Sequence, residues 1–133
     1  MDHQTLLVPA SCLRLILEHC RRELPREACG ALVGSGNRAT RVFPLPNVSP
    51  TPTTRYLASP EGLWHVLQLA ETAGEELLAI YHSHPHGPPR LSPVDLEQAY
   101  WPQLVHIVVS PPYDVRAYII QGDGPRSIML ISY

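Results

Sequence analysis

Apolar side chains recur along this chain first at helical spacing and then at strand spacing. Leu13, Ile16, Leu17 and Cys20 stand at i, i+3, i+4 and i+7, with Arg14, Glu18, Arg21 and Arg22 on the other faces, which predicts an amphipathic helix from Ser11 to about Arg22. Leu24-Pro25 ends it. Ala28 to Val33 and Thr40 to Leu45, joined through Gly34-Ser35-Gly36-Asn37, read as two strands with a turn between them. Pro46 to Pro60 reads as loop, with room for a short strand near Arg55 to Leu57. Ser59-Pro60 supplies an N-cap and a first-turn proline for a second helix, whose core face is Leu63, Val66, Leu67 and Ala70. Leu77 to Tyr81 is a continuous apolar run, short enough for a strand buried on both faces, and it delivers the chain to His82. Ser92-Pro93-Val94-Asp95 opens a third helix that ends near Trp101-Pro102. Leu104 to Ser110, Val115 to Gln121 and Arg126 to Tyr133 complete the pattern as strands. This order predicts an α/β (α+β) fold with a mixed sheet flanked by helices.

The chain has 133 residues, close to the commonest size of one globular domain, so residues 1–133 are expected to share a single core. A formal charge of -2 leaves no basic surface of the kind that sequence-independent nucleic-acid binding needs. No apolar run approaches the roughly 20 residues of a membrane span, and Met1-Asp2-His3-Gln4 lacks the features of a signal peptide. The expected setting is cytoplasmic. Cys12, Cys20 and Cys29 are an odd number without a Cys-x-x-Cys pair, so any metal is expected to use nitrogen and oxygen ligands. Most of the fifteen prolines gather in Pro44 to Pro60 and Pro85 to Pro93, as in fixed loops.

The densest candidate chemistry follows the buried run. On a strand, residues two apart point to one side, so His82 and His84 can reach one point while Ser83 faces away. Asp95, in the first turn of the next helix, can close a three-ligand site if the intervening prolines and Gly87 fold the loop back. Two histidines, an aspartate and an open fourth position make a catalytic zinc site, because structural zinc sites are usually closed by four protein ligands. One zinc ion per chain, carrying a water, is the expected cofactor. Bound zinc lowers the pKa of such a water to about 7, and a nearby base is still needed to move its proton. Glu27 is the candidate base, and Ser92 is the candidate donor to the oxyanion of a tetrahedral intermediate.

Glu27, then His82-Ser83-His84-Pro85, seven residues from Pro85 to Leu91, then Ser92-Pro93-Val94-Asp95, resembles the signature of the JAMM (MPN-plus) metalloproteases. Glu27-Ala28-Cys29-Gly30-Ala31-Leu32-Val33-Gly34 is similar to that family's glutamate strand, and the predicted elements span essentially the whole chain. The resemblance implies a mixed sheet flanked by helices, related in architecture to zinc-dependent deaminases. It also implies His82, His84 and Asp95 as zinc ligands, with Glu27 and Ser92 as catalytic residues. His86-Gly87-Pro88-Pro89-Arg90, and Leu96 to Pro102 with its Tyr100-Trp101-Pro102 ending, look like the compact prokaryotic members that process ubiquitin-like sulfur-carrier proteins. For those members the resemblance implies hydrolysis after a C-terminal Gly-Gly, with the extended tail bound as an added strand near the metal.

Plainer readings stand beside these. Ser92-Pro93-x-Asp95 is also an ordinary helix start, and two histidines on a strand can be no more than a polar face. His86 is expected to contact solvent or substrate, and His106 to be a satisfied strand histidine. His3, His19 and His65 are assigned nothing, and Cys29 reads as a small buried residue. The alternatives to a peptidase are a non-catalytic scaffold of the same fold and a zinc amidohydrolase acting on another amide. A nucleobase deaminase would need His-x-Glu and Pro-Cys-x-x-Cys, which the chain lacks.

Overall fold

The computed structural model describes residues 5–97, 103–122 and 124–133. Among them the elements run β1 (Thr5–Val8), α1 (Ala10–Glu23), β2 (Cys29–Ser35), β3 (Arg38–Leu45), α2 (Pro60–Thr72), β4 (Glu76–Ser83), α3 (Pro93–Glu97), β5 (Val105–Ser110), β6 (Asp114–Gln121) and β7 (Gly124–Ser132). The sheet is mixed, as expected, in the order β1-β3-β2-β4-β5-β6-β7, and it closes into a barrel through β1. β1 lies parallel to β7, from Thr5 opposite Met129 to Val8 opposite Ser132, and meets β3 in parallel at Leu7 and Arg38. The periodicity did not announce β1, because four residues ahead of Pro9 are too few to separate strand from loop.

β2, β4 and β5 are the most completely buried strands, and β2 and β4 pair antiparallel at the middle of the sheet. Their side chains alternate between two cores. Leu32, Ala79 and Tyr81 join Leu6, Val8, Ile107 and Val109 against Cys12, Ile16 and Cys20 of α1. Cys29, Ala31, Val33 and Ile80 pack with Val66 and Ala70 of α2. Continuous apolar runs, with no polar alternation, are what a strand covered on both sides requires.

The helices differ in detail from expectation. α1 turns its buried face far enough to take in His19 beside Cys12, Ile16 and Cys20, while Leu13 and Leu17 pack at the edge of the core. Ser59 caps α2 by accepting a hydrogen bond from the Gly62 amide, with Pro60 in its first turn. Leu67, expected in the core face of α2, is exposed, because Val66 and Ala70 meet the sheet in its place. Residues 46–59 form no strand near Arg55 to Leu57, only an isolated bridge between Asn47 and Ala58. α3 is described to Glu97; the expected helix end at Trp101-Pro102 lies outside the described residues. No helix of the described residues is long and apolar enough to cross a membrane.

One glycine matters for the placement of the site. A Cβ on Gly30 would overlap the ring of Tyr81, directly across the β2–β4 pairing. Tyr81 is fully buried, its hydroxyl lies 2.7 Å from Nδ1 of His19, and it immediately precedes His82. Gly30→Ala must therefore push the ring aside and disturb that hydrogen bond. The expected cost is about 1–3 kcal/mol, as for other overpacked cores, read as a lower urea midpoint at unchanged m-value.

Candidate metal centre

β4 carries His82 as its last residue but one, and His84 follows just beyond the strand. The two imidazoles converge as the two-residue spacing predicts, with Nε2 atoms 3.0 Å apart. Ser83 points the other way. Its amide donates to the Ala28 carbonyl at 3.0 Å, and its hydroxyl accepts from the Ala28 amide at 2.8 Å. Those two bonds carry the β2–β4 pairing back beyond the start of β2 and bring Glu27, which lies just before the strand, over the histidines. On the other flank, the His84 amide donates to the Val109 carbonyl of β5.

Asp95 reaches the same point from α3. Its Oδ2 lies 3.1 Å from Nε2 of His82 and 2.9 Å from Nε2 of His84. It also accepts from the Ser92 amide, while the Asp95 amide donates to the Ser92 hydroxyl. The ordinary helix-start reading of Ser92 and Asp95 thus holds, and the same turn sets the Asp95 carboxylate beside both imidazoles. A hydroxyl that accepts from the Asp95 amide keeps its own proton for another acceptor. The intervening loop is firmly held, because three successive carbonyls are occupied. Ser110 Oγ donates to Gly87, His84 Nδ1 lies 2.8 Å from the Pro88 oxygen, and the Tyr118 hydroxyl donates to Pro89 at 2.9 Å.

One ligand atom from each of Glu27, His82, His84 and Asp95 lies within 4.8 Å of all the others, and all four residues are buried. The donor set suits zinc: two imidazole nitrogens and a carboxylate oxygen, with bonds of about 2.0–2.2 Å, fit donor separations near 3 Å. The Pro88 carbonyl holds the proton of His84 on Nδ1 and leaves Nε2 free to ligate, the usual outer-shell arrangement. Glu27 Oε1 is buried without a hydrogen-bond partner among the described residues. A bare buried carboxylate oxygen at the mouth of such a cluster fits a proton acceptor better than a structural group.

Electrostatics in the metal-free cluster point the same way. Burial lowers the pKa of His82 and favours the neutral imidazole that a metal requires. Burial works to raise the pKa of Asp95, but hydrogen bonds from His82 and His84 outweigh it and hold the carboxyl well below its usual range. Burial raises Glu27 to about 7, with His84 opposing the shift and Asp95 adding to it.

Tyr56 was not singled out by the sequence. Its ring stacks on His82 with centroids 4.4 Å apart and planes 18° from parallel. A lone aromatic in a proline-rich loop carries no periodic signal, and its partner lies 26 residues on, as the numbering of the stacked pair shows. His86 is exposed, as expected, and lines a cleft of about 380 Å³ with Glu27, His84, Thr53, Arg90 and Ser92. His106 is buried in β5 and has a partner. Cys29 is a buried thiol whose Sγ donates to the Leu45 carbonyl.

The raised pKa of Glu27 carries a stability consequence. Below the ordinary glutamate pKa of about 4.5, the group is protonated in both folded and unfolded chains and costs nothing. The penalty grows between about 4.5 and 7 and is complete above 7, where the folded protein must hold a buried carboxylate. Glu27→Gln should therefore stabilise the metal-free protein by about 1–3 kcal/mol at pH 8 and by almost nothing at pH 4. Thermal unfolding at the two pH values checks it.

The family model described as prokaryotic homologs of the JAB domain matches residues 9–121. A Thermus thermophilus protein named as a probable TtuB-protein conjugate cleaving protease is 44% identical over 115 residues, 86% of this chain and 76% of that one. A desampylase of Haloferax volcanii is 33% identical over 134 residues, 96% of each. A solution structure of a Desulfitobacterium hafniense protein superposes with a TM-score of 0.87 at 28% identity, covering 96% of this chain and 92% of that one. The resemblance read from Glu27, His82-Ser83-His84-Pro85 and Ser92-Pro93-Val94-Asp95 is thus borne out: the chain belongs to the family of prokaryotic JAB-domain homologs and is a JAMM-type hydrolase.

Proposed function

We propose that this protein hydrolyses the amide bond after the C-terminal Gly-Gly of a ubiquitin-like sulfur-carrier protein, using one zinc ion held by His82, His84 and Asp95. The observation that carries the reading is the convergence of those three residues with Glu27 in one buried cluster that opens on a cleft. A relative named for cleaving TtuB-protein conjugates, 44% identical to this chain, supports the choice of substrate.

The ion supplies Lewis acidity and brings the pKa of a water near neutrality. The protein's own groups do the rest. Glu27, whose Oε1 has no partner among the described residues, accepts the proton of the attacking water and passes it to the leaving nitrogen. The Ser92 hydroxyl, held as acceptor by the Asp95 amide, turns its proton to the oxyanion. Tyr56 and the Pro88 carbonyl keep the two imidazoles in place. The tail enters between Thr53-Thr54 and the loop running from His84 to Ser92. Two glycines before the scissile bond suit this passage, because they bring no side chain past its walls.

The test is mass spectrometry of sulfur carriers that bear a residue or tail after Gly-Gly, with zinc-loaded wild type, Glu27→Gln and Asp95→Ala. Wild type is expected to cut after the second glycine. Glu27→Gln should keep one zinc per chain and turn over about 100- to 10,000-fold more slowly, whereas Asp95→Ala should lose zinc in metal analysis. Full activity of Glu27→Gln would remove the base. No cleavage by zinc-replete wild type would favour a scaffold or another amide substrate.

Ser92 can be separated from its capping role. Ser92→Ala should cost about 1 kcal/mol of stability as a lost cap, yet lower kcat about 100- to 1,000-fold with zinc retained. A stability loss with unchanged kcat would leave only the cap.

A further inference from the structure

Glu27 lies just before β2, so no strand ladder holds its backbone. Its amide donates to the Pro52 carbonyl at 2.7 Å, and its carbonyl accepts from Nδ2 of Asn47 at 2.9 Å. Asn47 is 6% exposed, and every polar atom of its side chain is engaged. Nδ2 also donates to the carbonyls of Arg55, at 3.1 Å, and Pro52, at 3.4 Å. Oδ1 accepts from the amides of Ser49 and Leu57, both at 3.0 Å. The backbone oxygen of Asn47 takes a hydrogen bond from Arg26, the residue before Glu27. Arg55 and Leu57, held by the two ends of one amide, flank Tyr56, which stacks on His82.

We infer that Asn47 is a positioning residue for the reaction: its side-chain amide stands in for the missing strand partner of Glu27. The inference rests on Glu27 as the proton acceptor. Only a side chain with a donor and an acceptor at this length meets carbonyls on one side and amides on the other. Aspartate keeps the shape but presents an acceptor to three carbonyl oxygens. Alanine leaves four backbone groups to find other partners, while the Pro52 carbonyl keeps the Glu27 amide.

The experiment is a double-mutant cycle on the full chain, with N47A and N47D each made alone and combined with E27Q. On zinc-loaded protein and a carrier that wild type cleaves, N47A and N47D should lower kcat about 10- to 100-fold, leave KM within about threefold and keep one zinc per chain. Each double variant should be no slower than E27Q alone, because Asn47 acts through Glu27.

Losses that multiply in the cycle, or an unchanged kcat in both single variants, would overturn the inference and leave the role of Glu27 intact. Failure of both variants to fold would overturn it too, and would assign Asn47 to stability alone. Full activity of E27Q would instead overturn the reading beneath it.

Discussion

The pairing of β2 with β4, prolonged beyond the start of β2 by Ser83 and Ala28, is the constraint on which the rest of the centre depends. Two hydrogen bonds, one from each residue's amide, link two segments that are far apart in sequence. Ser83 has to face away from the imidazoles for this to happen, so the middle residue of His82-Ser83-His84 is constrained no less than its neighbours. Glu27 comes over the histidines because Ala28 is held there. The bulk of Tyr81, accommodated by Gly30, keeps the two strands in register immediately before the site.

The polar cluster is built against the usual preference for solvated charge. Four ionisable residues are buried together, and Glu27 Oε1 and His82 Nδ1 lack partners among the described residues. Such groups cost stability wherever they are not compensated. Asp95 offsets part of that cost by accepting from Ser92 while facing both imidazoles. The remaining deficit falls at His82 Nδ1 and at Glu27, the proposed proton acceptor. Strain of this kind concentrates where activity and stability compete.

Much of this was legible in the sequence because the decisive spacings are short. His82 and His84 are two apart, Ser92 and Asp95 three apart, and each spacing maps directly onto strand or helix geometry. The apolar runs of β2 and β4 were equally readable. β1 was not, since its partners in β7 lie nearly the whole chain away and its four residues show no period. Tyr56 and Asn47 escaped for a related reason. Each reaches the centre through a contact distant in sequence, and no local rule ties Asn47 to Glu27 or Tyr56 to His82. Leu67 was misplaced because a helical stripe defines a face only to within a residue.

The closure of the barrel by β1 and β7 bears on the order in which the molecule assembles. Contacts between strands most distant in sequence carry the largest loop-closure entropy and form late. The elements bearing Glu27, His82, His84 and Asp95 are joined by much shorter segments, so their pairing can precede closure during synthesis on the ribosome. Once the Ala10 amide donates to the Tyr133 carbonyl, and the Tyr133 amide to Val8, the outer seam is shut. A nascent chain can thus assemble its buried polar cluster before its outermost strands have met.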